Sequence, residues 1–284
     1  MSIYARVSAA RQRLRDAGIT PIESDLDARL LAQHVLGWST ERFLTDAREP
    51  EPDGFIPRYD ALVNRRVTRE PLAYIVGTRE FWGLELEVTP DVLIPRPATE
   101  LIVESIQELF PDRTVPLSIA DVCTGCGCVA VAIAHERPTA TISGTDISRP
   151  ALEVARRNAE RHGVAGRVTF AAGDLLDGVT GTFDAIVANP PYVIDRARPA
   201  LQPEVRDHEP PVALFGGADG LRLVTRLIAD APRRLRPGGY LIFEFGLGQD
   251  VEVEDLIAQS PELQLVGLRR DLQGIARTAI AQRL

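Results

Sequence analysis

Asn189-Pro190-Pro191-Tyr192 follow directly on a strand-like apolar run, residues 183–188, and set a planar polar side chain beside two rigid prolines and an aromatic face. Such a group can hold a planar amino group still. A carboxamide oxygen and a backbone carbonyl can each accept one N–H of an NH2 group, while the prolines fix the turn and Tyr192 covers the flat face. The same residues also make an ordinary turn after a strand, because Asn-Pro and Pro-Pro punctuate loops. The remainder of the chain decides between the two.

A second constellation lies upstream. Asp121-Val122-Cys123-Thr124-Gly125-Cys126-Gly127 ends a strand-like run and opens a helical one, and glycines there let the backbone pass close to a ligand where a Cβ would clash. Asp146, 25 residues after Asp121, ends the next strand beside Ile147, and a carboxylate at that tip can accept from both hydroxyls of a ribose. Asp174 and Leu175 end the third strand, where a carboxylate and an apolar neighbour suit an adenine amino group and ring. Asn189 ends the fourth. Ligands of open parallel sheets bind at the carboxyl ends of strands, so these four tips form one expected site. A dinucleotide dehydrogenase would carry Gly-x-Gly-x-x-Gly, whereas the glycines here are two apart. S-adenosylmethionine is therefore the expected cofactor, held by Asp121, Cys123, Thr124, Gly125, Cys126, Gly127, Asp146, Ile147, Asp174, Leu175 and Asn189.

The elements that must position these residues follow from periodicity. Strands are expected at 117–122, 141–145, 168–171, 185–188 and 240–245, with helices at 129–135, 150–162 and 221–235 between them. That alternation is the signature of a sheet with crossover helices. Runs 263–269 and 276–281 have no helix between them and predict a closing antiparallel hairpin. Residues 80–88 alternate apolar with polar, as a short hairpin would. Ahead of it, helices are expected at 3–17, 24–37 and 57–69, with Ser24 as a cap and Gly37 as a terminator. The domain reading is a helical substrate-docking domain at 1–80, a β-hairpin linker at 81–95 and a catalytic domain at 96–284.

Composition excludes several classes. The chain of 284 residues has 45% hydrophobic and 25% charged residues, ordinary for a globular protein. Its net charge of −8 disfavours sequence-independent binding to free nucleic acid, which depends on neutralising phosphates. There is no lysine, so Schiff-base and lysine-nucleophile mechanisms are excluded. No 18-residue uncharged apolar run occurs, and the arginine-bearing first segment reads as an amphipathic helix and not as a signal peptide; a soluble cytoplasmic protein is expected. Cys123, Cys126 and Cys128 raise a metal reading. A closed zinc site needs four ligands, and the four histidines show no paired spacing, so the thiols are read as small residues in a tight turn and no metal is expected.

Asn-Pro-Pro-Tyr resembles the signature of methyltransferases that modify amide or exocyclic amino nitrogen. Over nearly its whole length the chain resembles the bacterial release-factor glutamine methyltransferase family. The resemblance is carried by Glu80-Phe81-Trp82-Gly83-Leu84, Leu93-Ile94-Pro95-Arg96-Pro97-Ala98-Thr99-Glu100, the glycine turn, Asn189 to Tyr192, Glu209-Pro210-Pro211-Val212-Ala213-Leu214, Gly216-Gly217-Ala218-Asp219-Gly220-Leu221, and Phe243-Glu244-Phe245-Gly246 with Gln249. It implies an α/β, Rossmann-like, seven-stranded S-adenosylmethionine-dependent methyltransferase fold with a small helical amino-terminal domain.

The implied reaction is methyl transfer to the side-chain amide nitrogen of the glutamine in the Gly-Gly-Gln tip of a peptide-chain release factor, by a monomer that binds no nucleic acid directly. The resemblance further implies catalytic roles for Asn189, Pro190 and Tyr192. It also puts Arg96, Thr99 and Glu100 with Asn189, Pro190, Pro191 and Tyr192 around the substrate, although an Arg and a Glu four apart also make an ordinary ion pair. Glu244 is expected to be structural near the cleft, and Asp219 and Gly220 to shape a loop. The chain departs from the family in having Cys123 for a glycine, Cys126 for a small hydroxyl residue, and Ala98 for an acidic residue. If the first position needs a positive φ, Cys123 strains the turn by about 1–3 kcal/mol. A ribosomal-protein glutamine or nucleic-acid amine methyltransferase, or a noncatalytic cofactor-binding module, are the alternatives.

Overall fold

The first compact unit is built on an apolar stripe. In the computed structural model, which describes all 284 residues, Ile3, Val7, Ala10 and Leu14 recur at helical spacing along α1 (Ile3–Asp16) and are all buried. They pack with α2 (Pro21–Leu36), α3 (Thr40–Asp46), α4 (Phe55–Val67) and α5 (Leu72–Val76) around Leu31, Phe55 and Tyr59. The start of α2 corrects the expected cap. Thr20 accepts from the Glu23 amide at 3.3 Å and donates to the Glu23 carboxylate at 2.7 Å, with Pro21 at the first helical position. Ser24 instead lies inside the helix, buried, and donates to the Ile19 carbonyl. Gly37 does end the helix, with φ at +64°.

This unit comprises residues 1–77 together with 202–208, and the second comprises 78–201 with 209–284. The expected boundary at residue 80 therefore falls inside the first strand of the hairpin, β1 (Thr78–Phe81) and β2 (Leu84–Glu87), which belongs to the second unit. The second unit continues with α6 (Glu100–Leu109), β3 (Ser118–Val122), α7 (Cys128–Glu136), β4 (Thr141–Asp146), α8 (Arg149–Arg161), β5 (Val168–Ala172), β6 (Phe183–Ala188) and β7 (Val193–Ile194). After α9 (Pro203–His208), which packs in the first unit, come β8 (Phe215–Gly217), α10 (Arg222–Asp230), β9 (Leu235–Glu244), α11 (Asp250–Ala258), β10 (Leu263–Arg270) and β11 (Ala276–Arg283).

Seven strands form one sheet in the order β10-β11-β9-β6-β3-β4-β5, parallel except for β11, which runs antiparallel to both its neighbours. Both faces are covered. Along β3, β6 and β9 alternate residues enter different cores: Ala120, Ile186 and Phe243 join α10 and α11, while Ile119, Val187 and Ile242 join α6 and α7. The chain order reverses between β3 and β6, and that reversal opens a crevice at the strand carboxyl ends.

In the first unit, Arg66 is buried and donates to Asp27 at 2.7 Å and to Glu204 of α9 at 2.9 Å; Arg69 reaches the other Glu204 oxygen at 2.6 Å. Replacing Arg66 with Met would strand the buried Asp27 carboxylate, and urea unfolding should show a loss of about 3 kcal/mol. A loss below ~1 kcal/mol would mean the pair is dispensable to this core.

Candidate functional site

Buried Asp121 ends β3, and one of its oxygens accepts from the Thr124 hydroxyl at 2.5 Å and the Ala130 amide at 3.2 Å. The carboxylate thus joins the loop to the first turn of α7. Loss of hydration pushes its pKa up to about 7, against the opposing pull of those two donors. The loop is also tied to β4: the Thr124 amide donates to the Thr145 carbonyl at 2.9 Å, and the Gly125 amide to the Asp146 carboxylate at 2.9 Å. The Ser148 amide holds the second Asp146 oxygen at 2.8 Å. Asp146 is thereby aimed, and its remaining lone pairs are available to hydroxyl donors. Burial raises its pKa while the amides oppose the rise.

Cys123 does take a left-handed conformation, with φ at +59°. Its thiol is held protonated by burial and by the carboxylates of Asp146, Asp121 and Asp174. Cys128 is likewise pushed up, by a hydrogen bond with Cys126 and then by burial. Gly125, at φ +56°, has open space where a Cβ would stand. Gly127 does not line the crevice, contrary to expectation. A Cβ there would lie 3.1 Å from the Ala155 Cβ and 3.3 Å from the Phe170 ring, so it is glycine for the sake of helix packing.

The crevice has a volume of about 420 Å³, within the ordinary range for small-molecule sites. Asp121, Cys123, Thr124, Gly125, Cys126, Asp146, Ile147, Asp174, Leu175 and Asn189 all line it, so the structure brings together every expected cofactor residue but Gly127. Asp174 is ion-paired with Arg226 at 2.9 Å, with both side chains close to half exposed, so the pair is weak enough to yield to a ligand donor. Leu175 is buried at φ +53°, a second strained position on the wall. The wall also includes Asp91, Val92, Phe215, Arg222 and Arg226, none of which sequence reasoning identified.

At the tip of β6, the Asn189 side-chain nitrogen donates to the Thr99 hydroxyl at 3.0 Å. Thr99 donates in turn to one oxygen of Glu244 at 2.6 Å, and Tyr192 donates to the other at 2.7 Å. Glu244 is almost wholly buried; its pKa is raised by that burial and lowered by its two donors. Asn189 lines the crevice, and with its nitrogen engaged by Thr99 its side-chain oxygen has no protein donor. The loop behind is braced by Gln249, whose side chain donates to the Tyr192 and Asp219 carbonyls at 3.2 and 3.1 Å. Gly220 shapes that contact as expected, since a Cβ would lie 2.2 Å from the Tyr192 carbonyl oxygen.

Several expected substrate contacts are redirected. Pro191 and Thr99 line the crevice, but Pro190, Tyr192, Arg96 and Glu100 do not. The hydroxyl of Tyr192 donates to Glu244 at 2.7 Å. Arg96 grips the buried Glu209 carboxylate at 2.6 and 2.7 Å and not Glu100 four residues on. Glu100 accepts from the Trp82 amide at 2.9 Å and secures the hairpin turn. Both charged residues serve long-range anchors because partners distant in sequence lie closer than the next helical turn.

Residues 7–77 match the PrmC N-terminal domain family, and residues 96–203 match the Methyltransferase small domain family. A Release factor glutamine methyltransferase of Bradyrhizobium diazoefficiens is 40% identical over 274 residues, covering 96% of this chain and 92% of that one. One of the same description from Nitratidesulfovibrio vulgaris is 40% identical over 278 residues, covering 96% and 92%. Among solved structures, a Pyrococcus furiosus methyltransferase superposes with a TM-score of 0.54 at 19% identity, over 77% of this chain and 98% of that one. A Thermus thermophilus 16S rRNA N2 methyltransferase in complex with AdoMet and guanosine gives 0.51 at 19% identity, over 73% and 50%. These two likenesses concern the fold.

Because the Cys123 conformation is the costly feature of this loop, Cys123→Gly should be more stable than Cys123→Ala by about 1 kcal/mol in urea unfolding, since both lose the thiol and only glycine accepts the positive φ freely. Equal stabilities would show that φ at this position carries no strain.

Proposed function

The chain belongs to the release factor glutamine methyltransferase family, and from that premise we propose that it methylates the side-chain amide nitrogen of the glutamine in the Gly-Gly-Gln tip of a peptide-chain release factor. S-adenosylmethionine is the methyl donor, and when bound it supplies a carbon already activated by a sulfonium. The crevice suits it on three counts: the open space over Gly125, the amide-aimed Asp146 carboxylate for ribose hydroxyls, and Asp174 with Leu175 for the adenine. Ile147, exposed on the wall, adds apolar surface for the base.

The observation that carries the reading is Asn189 at the tip of β6, which lines the crevice with its side-chain nitrogen engaged by Thr99 and its side-chain oxygen without a protein donor. An amide nitrogen is a poor nucleophile because its lone pair is delocalised into its carbonyl, so the task of the protein is to orient it. The Asn189 oxygen accepts one N–H of the substrate amide and points the nitrogen toward the donor, while Pro191 and Phe215 form apolar walls that limit water. No side chain is required to remove a proton before attack, because the product proton can pass to water. The lysine-free sequence and net charge of −8 favour a protein substrate over free nucleic acid. We assign docking of the release factor to the helical first unit, and action as a monomer in the cytoplasm. No helix is long and apolar enough to cross a membrane.

The test is mass spectrometry of a release factor after incubation with isotope-labelled donor, with a Gln-to-Ala tip variant as the control. Label is expected on the tip glutamine alone, and equal labelling of both proteins would refute the substrate. Asn189→Ala should reduce turnover by about 100-fold while donor affinity changes less than ~3-fold. Parallel losses in both would reassign Asn189 to the donor.

A further inference from the structure

An asparagine side chain has two nearly isosteric ends, and only one of them can hold a substrate N–H. Something must select which end faces the crevice. The selection can be followed along the hydrogen bonds behind it. Glu244, as a carboxylate, has only acceptors, and it faces two hydroxyls, Thr99 at 2.6 Å and Tyr192 at 2.7 Å. Thr99 owns a single proton. With that proton given to Glu244, its oxygen can only accept from Asn189, 3.0 Å away, so the Asn189 nitrogen turns inward and its oxygen outward. Tyr192 occupies the second carboxylate oxygen, so the arrangement has no slack.

We infer that Glu244 is a positioning residue which, through Thr99, sets the polarity of the Asn189 amide and thereby makes it an acceptor for the substrate nitrogen. The inference rests on the glutamine-methylation reading for its consequence in turnover, and on the hydrogen-bond chain alone for the orientation. Glu244 touches neither substrate nor donor, since it is buried behind Thr99 and does not line the crevice.

Glu244→Gln separates polarity from shape. Its amide oxygen must face Tyr192, because the opposite placement leaves the buried Tyr192 proton without an acceptor, at about 1–3 kcal/mol. Its NH2 then donates to Thr99, whose proton is released toward Asn189. The Asn189 amide turns over to accept it, and an N–H now meets the substrate N–H. Volume and fold are preserved while the acceptor is lost.

The experiment combines kinetics with side-chain amide NMR on full-length protein. Glu244→Gln and Thr99→Val are expected to lower kcat by about 100-fold, with the dissociation constant for S-adenosylmethionine within ~3-fold of the parent. Thr99→Ser, which keeps the hydroxyl, should restore most of the turnover lost in Thr99→Val. Independently of activity, one side-chain N–H of Asn189 should be protected from hydrogen exchange in the parent and neither in Thr99→Val or Glu244→Gln. Glu244→Gln turning over within ~3-fold of the parent, or losing donor affinity in step with kcat, would overturn the inference. A parent that leaves release factors unlabelled would refute the proposed substrate, and the exchange measurement would then still decide the role of Glu244.

Discussion

A carboxylate removed from water can accept hydrogen bonds and cannot give them, and the carboxyl-terminal edge of this sheet is organised around three that obey that constraint. Asp121 collects the Thr124 hydroxyl and the Ala130 amide, so the loop after β3 closes onto α7. Asp146 collects the Gly125 and Ser148 amides, which fastens that loop to the tip of β4. Glu244 collects Thr99 and Tyr192 and so fixes the segment after β6. Each carboxylate raises the local demand for donors, and the loops supply them from fixed directions. The result is a crevice whose polar groups are aimed before any ligand arrives.

The same loops hold residues in conformations that side chains rarely adopt. Cys123 and Leu175, which both line the crevice, have positive φ, at +59° and +53°. Such strain persists only where surrounding bonds over-determine the backbone. Around Cys123 they do, since Asp121, Thr124 and Gly125 are each hydrogen-bonded to β3 or β4. At Leu175 the carbonyl is fixed by the Thr145 hydroxyl at 2.7 Å. A cysteine at a backbone position that favours glycine is therefore accommodated by a framework that does not depend on that residue for its shape.

Much of the fold was legible in the sequence. The central parallel strands stood out because both faces are buried and their residues are mostly apolar, as in Ala185-Ile186-Val187-Ala188. The final hairpin was legible for lack of any helical period between its strands. Five helices were not: α3, α5 and α9 are too short to show a period, α11 is rich in acids, and α6 follows a proline-rich segment that obscured its start. Within the site, residues at strand tips were recoverable because topology fixes their place. Thr99 was expected at the substrate and lines the crevice, but its two bonds, to Asn189 and Glu244, span 90 and 145 residues. Arg96, Glu100 and Tyr192 pair with partners 113, 18 and 52 residues away, and no local pattern reports such pairings. Nor could periodicity show that residues 202–208 pack with the first unit through Glu204.

The central claim is that a substrate carboxamide nitrogen is held by the Asn189 oxygen beside the methyl donor. A crystal structure with the demethylated donor and a Gly-Gly-Gln peptide measures this directly. The account requires the glutamine nitrogen within about 3 Å of the Asn189 side-chain oxygen, with Asp146 against the ribose. A peptide whose glutamine carbonyl faces Asn189, or a donor seated away from Asp146, would contradict it.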